Sequence, residues 1–256
     1  MMNLIKMEWY KLRTAKLFLV LSAVVFGFNM LIAMLAPIAS RLMMPGMDIP
    51  AVKLSEVITN PFSLGLPLIL IYISAVSYLY LDFSGGYIKN IAGQVHSRGS
   101  LILSKFVVLS IHNLILFAVC VLSCVLGNAV AGNLNVDDAV AGGVLTFVIK
   151  WLLSLAICSI LMFFAVGIRN KIIAIILAVV FSTGSLSLLY LGINTAVANI
   201  FKTENFDLGN YLPDSLINSV SVTSNTLVVN AIVVSVIFIT VFVMLTSITF
   251  KKKDVK

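Results

Sequence analysis

Few side chains in this 256-residue chain can hold a metal, relay a proton or attack a bond, and their spacing argues against each of those roles. Cys120, Cys124 and Cys158 lie inside apolar runs with neither a Cys-x-x-Cys spacing nor a neighbouring His, so they read as small core hydrophobes. No Gly-x-x-x-x-Gly-Lys-Ser/Thr loop occurs, and the nearest fragment, Ser84-Gly85-Gly86, lacks the context that cradles a phosphate. The expectation is a chain with no metal, no cofactor and no nucleotide engine of its own. Ion coupling is also poorly served, because a charge at mid-membrane costs at least about 2.5 to 3.5 kcal/mol and persists there for function. Lys150 sits near the end of an apolar run, where its long side chain is expected to snorkel; a place in a substrate path is the alternative. His112 and Asn113 are expected to bond a neighbouring helix rather than relay protons.

Polar chemistry concentrates instead in three places. Residues 83–103 join two apolar runs, with Asp82 before them and Lys105 after. Gly85 and Gly86 favour a turn, Tyr87 to Ala92 suit a short helix with Ile88 and Ile91 as plugs, and Gly93 with Arg98-Gly99 ends it. Such a plug is shaped to dock on a soluble partner. The first sixteen residues place Met2, Ile5, Trp9 and Leu12 on one helical face among lysines, the pattern of an interfacial helix against lipid headgroups. Residues 194–226 carry Glu204, Asp207 and Asp214 against one basic residue, Lys202, and read first as a solvated cap over the helix ends; a surface that a cationic peptide meets first is the alternative.

These segments need a scaffold, and composition dictates which kind. With 61% hydrophobic residues, 11% charged and a mean hydropathy of +1.12, the chain cannot clothe a water-soluble globule, which excludes soluble enzymes. The net charge of +7 comes in short clusters between apolar runs, not along one face, so it marks topology and not nucleic acid. Six runs are long enough to cross a membrane as helices, at about 17–39, 62–82, 104–127, 144–167, 172–193 and 227–249. They are continuously apolar, whereas the strands of a membrane barrel alternate. The first is too long for the core of a cleaved leader and is expected to stay as a span. With the amino terminus inside, 13 of the 17 Lys and Arg fall on the inner side, so both termini are expected in the cytoplasm. The fold class is an all-α membrane protein of one transmembrane domain, 1–256. Ser182, Thr183, Gly184, Ser185 and Ser187 in the fifth run are expected to serve close helix packing.

On these residues the chain resembles the membrane subunits of type-two ATP-binding-cassette transporters. Their pattern is an acidic residue ending the second span, a Gly before Ile-Lys-Asn, then Ser-Arg and a later Lys. Here it reads Asp82, Gly86, Ile88-Lys89-Asn90, Ser97-Arg98 and Lys105, with Asp82 where Glu is commoner. The likeness runs on through a Glu8-Trp9-Tyr10-Lys11 elbow, six spans, and Tyr211-Leu212-Pro213 with Leu216-Ile217-Asn218 before the last span. Within that family it looks most like the bacitracin and lantibiotic protection permeases of Gram-positive bacteria. The resemblance implies a half-transporter in the bacterial cell membrane: two six-span chains, identical or sister, with two separate ATPase subunits that bind ATP and Mg. The residues from Asp82 to Lys105 would couple to those subunits. An amphipathic antimicrobial peptide is the cargo it implies, with an ion, a lipophilic toxin or a secreted peptide as alternatives. An ion-coupled secondary transporter or a membrane scaffold is the competing class.

Overall fold

The computed structural model describes residues 2–43, 51–59, 65–84, 98–201, 207–220 and 225–252, and most of these are helical. Helix α1 (Met2–Thr14) stops at Ala15, and α2 (Lys16–Met43) starts immediately after it. A short strand β1 (Val52–Lys53) leads into α3 (Leu54–Thr59). Then come α4 (Leu66–Ser84) and α5 (Arg98–Val130), a strand β2 (Leu134–Asn135) and α6 (Val140–Ile168). Helices α7 (Lys171–Ser182) and α8 (Ser187–Phe201) follow, then a 3-10 turn Leu208–Tyr211, α9 (Pro213–Ser219) and α10 (Asn225–Lys252).

Among the described residues, α2, α5, α6 and α10 are each long and apolar enough to cross a membrane, and α7 with α8 makes a fifth span if the bent pair counts as one. The molecule is thus a multi-pass, all-α membrane protein. Two expected spans differ from a plain rod. Helix α4 carries its apolar stretch over Leu66–Leu81, about 24 Å of helix against a hydrocarbon core of about 30 Å. The fifth run does not continue through 172–193: α7 and α8 meet at 65°. The residues expected to pack helices instead end one. The Ser182 and Thr183 hydroxyls fold back on the Val179 carbonyl at 2.9 and 3.0 Å, and Gly184 turns left-handed at φ +66°. The Ser187 amide then bonds the Gly184 carbonyl, and α8 departs in a new direction.

Helix α6 is the axis of the bundle. Its residues 153–162 are buried on every side, as a helix apolar all round must be, and it packs against α3, α4, α5, α7, α9 and α10. It ends where Arg169 takes φ 56°, its amide bonding the Ala165 carbonyl; Asn170 then accepts from the Ile172 and Ile173 amides to start α7. Helix α2 lies along α5, and Gly127 sets their separation: a Cβ there would stand 2.6 Å from the Met30 carbonyl oxygen and 2.7 Å from the Ala33 Cβ. At the far end from the amino terminus, β1 pairs parallel with β2 through Val52 with Leu134 and Lys53 with Asn135. Ser55 clasps Asp137 there, its amide at 3.1 Å and its hydroxyl at 2.5 Å.

Candidate functional site

Helices α1, α4 and α5 converge on one carboxylate. Glu8 is 0% exposed, because α1 turns its Glu8 and Leu12 side toward α5 and leaves Trp9 (38% exposed) and Tyr10 outward. Two side chains from elsewhere in the chain meet one of its oxygens: Lys105 Nζ donates to Oε2 at 3.0 Å and the Tyr78 hydroxyl donates to the same atom at 2.9 Å. Lys11, one turn along α1, donates to Oε1 at 3.2 Å. The Lys105 ammonium also stands 5.4 Å from the centre of the Tyr78 ring, a cation–π contact. Burying a carboxylate costs several kcal/mol unless charge and hydrogen bonds compensate it, so this arrangement fixes α1 to the base of α5 with little tolerance for sliding.

A second polar layer lies about two turns up α5, since His112 is seven residues past Lys105. His112 Nε2 is 2.9 Å from the Ser74 hydroxyl of α4, and its ring stands 6.4 Å from Tyr78 and 5.1 Å from Phe18 of α2. Asn113 donates to Ser154 Oγ at 2.9 Å and to Cys158 Sγ at 3.3 Å, tying α5 to α6. Tyr78 therefore joins the two layers, its hydroxyl on Glu8 and its ring beside His112.

The sequence that builds these layers matches a family. Residues 4–185, more than two thirds of the chain, match the model of the ABC-2 family transporter protein. The chain belongs to the ABC-2 transporter family. It is a membrane permease subunit of an ABC transporter, a transport subunit of a kind that typically carries no ATPase site of its own and works with ATPase partner subunits. No curated protein matches the chain.

For this ABC-2 permease the structure unites some of the sequence-derived residues and separates others. Glu8, Lys11 and Lys105, read as an elbow and as the end of a coupling loop, are one cluster. Asp82 lies in the last turn of α4 and Arg98 opens α5, while Gly86, Ile88, Lys89, Asn90 and Ser97 lie outside the described residues. The expected apolar face of α1 divides: Leu12 is buried and Ile5 packs on the core, but Met2 and Trp9 are exposed. The inward position between Ile5 and Leu12 goes to Glu8.

Lys150 does not snorkel. It is buried and donates to the Thr59 carbonyl at 3.0 Å, because α3 ends beside α6 with an orphan carbonyl and the negative end of its dipole. The acidic trio does not form one surface either. Asp207 is exposed, capping the 3-10 turn through the Gly209 amide at 3.0 Å and accepting from Asn194 at 2.9 Å. Asp214 is 2% exposed and takes the Tyr190 hydroxyl at 2.8 Å; burial pushes its carboxyl above the ordinary carboxylate value, with the Tyr190 bond and backbone amides opposing. Glu204 lies outside the described residues.

Tyr78 and Ser74 are members of the two buried polar layers that sequence reasoning missed. Their signal was present: Ser74, Ser77 and Tyr78 recur at helical spacing on an otherwise apolar helix, a polar stripe that needs partners.

Proposed function

We propose that this ABC-2 permease is half of an ATP-driven exporter that removes an amphipathic antimicrobial peptide, of the bacitracin or lantibiotic type, from a bacterial cell membrane. Six spans place both termini in the cytoplasm, with α4 and the bent α7–α8 pair as the second and fifth. Two permease chains, identical or sister, work with two ATPase subunits that hold ATP and Mg. Residues 83–103 dock on the ATPase through Gly86, Ile88, Lys89, Asn90 and Arg98, with Asp82, Ser97 and Lys105 at the base.

The observation that carries this reading is the Glu8 cluster. Lys105 follows the proposed docking segment on the same helix that Arg98 opens, and it is bonded to the elbow helix by a buried ion pair. A push delivered at the docking segment therefore moves α1, α4 and α5 as one body, which a rigid-body rocking mechanism requires. Peptide cargo rests on the subfamily resemblance and on Asp207 at the outer face.

Docking is tested by Ile88→Asp and Arg98→Glu in cells challenged with bacitracin or a lantibiotic. Both variants should insert normally and lose protection, and each should lower the amount of ATPase recovered with the permease. Full protection with the ATPase still bound would overturn the docking assignment. Cargo is tested separately by comparing protection against cationic peptides, sodium and lipophilic toxins. Protection restricted to the last two would replace the peptide reading.

A further inference from the structure

Helix α8 holds to the molecule by its polar residues. Its outward positions are bulky and apolar, with Leu188 77%, Leu191 67% and Ile200 72% exposed. The half-buried positions, Tyr190, Asn194, Val197 and Ala198, recur at helical spacing and form the face toward the body. Among the described elements that face packs chiefly on the 3-10 turn Leu208–Tyr211 and not on a spanning helix. The Tyr190 hydroxyl donates to both carboxylate oxygens of Asp214, at 3.0 and 2.8 Å. Asn194, one turn on, uses both ends of its amide: Nδ2 donates to Asp207 Oδ1 at 2.9 Å, and Oδ1 accepts from the Leu208 amide at 2.9 Å. Among the described residues no cation pairs with Asp214, so these few hydrogen bonds are what fasten α8 to α9 and the turn before it.

The root of α8 is a single turn. Helix α7 packs along α4 and α6 and runs only 12 residues before the chain bends by 65°. At the bend Gly184 holds φ +66°, and the nearest atom a Cβ there would meet, Asn218 Nδ2, is 3.9 Å away, so the turn has room around it. Moving α8 would therefore cost its few polar bonds and little else. Apolar side chains already bare to lipid lose nothing when the helix shifts within lipid, because lipid tails are as apolar as the side chains themselves.

We infer that α8 is a hinged arm, rooted at Gly184 and latched by Tyr190 to Asp214 and by Asn194 to Asp207 and Leu208, and that releasing the latch swings it from α9 while α7 stays in place. The swing changes the bend of the fifth span and uncovers the Asp214 carboxylate, which Tyr190 now covers at 2% exposure. Tyr190 and Asn194 are positioning residues in this device, since each acts only by holding the helix. The arm depends on this chain alone, so it stands or falls independently of the ATPase and of the cargo.

The test measures distances by pulsed electron spin resonance in the purified full chain in phospholipid nanodiscs. A ketone-bearing amino acid is introduced and spin-labelled at Ile200 of α8 and Val229 of α10, both exposed, which leaves Cys120, Cys124 and Cys158 as they are. The labelled chain is diluted with unlabelled chain so that each pair lies within one molecule. A control pair joins Val229 to Ile176 of α7, also exposed. Ile200 stands about 20 Å along α8 from its first residue, so a swing of about 20° moves it about 7 Å. The expected native result is one dominant distance for the Ile200 pair. Tyr190→Phe with Asn194→Ala should add a second distance at least 5 Å away and raise its population at least fivefold, with the control pair unchanged. Asp214→Ala, made from the other side of the latch, should populate the same second distance. An Ile200 distance unchanged in both variants, or one that shifts only together with the control pair, would overturn the arm.

Discussion

Removing one charge from the Glu8–Lys105 pair strands the remaining charge in a place water does not reach. Lys105→Met and Glu8→Gln are each expected to destabilise the helix assembly by about 3 kcal/mol, the low end for a broken buried pair because Lys11 also reaches Glu8. A double-mutant cycle read by thermal unfolding in micelles should give a coupling energy of roughly 1 to 3 kcal/mol; simple additivity would mean that the two side chains do not act together. Asp137 offers a pH handle on the opposite face. The Ser55 hydroxyl and amide hold its carboxyl below the ordinary value of 3.8. A lowered carboxylate stabilises the fold above its unfolded value and loses that contribution as pH falls through its folded value, so the clasp on α3 should loosen only below about pH 4. Hydrogen exchange at the amides of residues 52–59 should rise there, and Asp137→Ala should show the same rise at pH 7. Protection unchanged in both would remove the clasp from the account. Individual residues were unevenly legible. Glu8, Lys11 and Lys105 stood out because charge is rare in this chain, but their meeting depends on contacts 97 residues apart, which no local pattern encodes. Lys150 and Asp214 misled for the same reason: each looked accessible, and each is buried by an element that tertiary packing brings over it.

At the scale of elements, two glycines decide where helices run. Gly184 holds φ +66° at the α7–α8 bend, so Gly184→Ala should cost about 1 to 2 kcal/mol from left-handed strain, and Gly184→Val more. Gly127→Leu should push α2 from α5, since even a Cβ would meet backbone and Ala33 at under 3 Å. Cysteine crosslinking between Ala33 and a residue one turn from Gly127 measures that separation: it should fall severalfold in Gly127→Leu and stay normal in Gly184→Ala. Equal crosslinking in both would show that Gly127 does not set the spacing. The helices themselves were legible, because a run apolar enough to cross a membrane has one way to satisfy its backbone. The break in the fifth was not, because Ser and Thr hydroxyls either pack a helix or bend it, and the Val179 carbonyl that captures them carries no sequence signature of its own.

For the molecule as a whole, the described residues supply a buried joint at Glu8 between the amino-terminal helix and the span that follows the proposed docking segment, in a permease of a kind that typically carries no ATPase site of its own. On the proposed reading, the force on this joint arrives from the ATPase partner. The most direct test is to reconstitute the permease with its ATPase in sealed vesicles and follow peptide movement while changing one energy source at a time. The account predicts transport that requires ATP and Mg, survives collapse of the ion gradients, and is abolished by Ile88→Asp even though the variant inserts normally. Transport that continues without ATP and stops when the gradients are collapsed would contradict it.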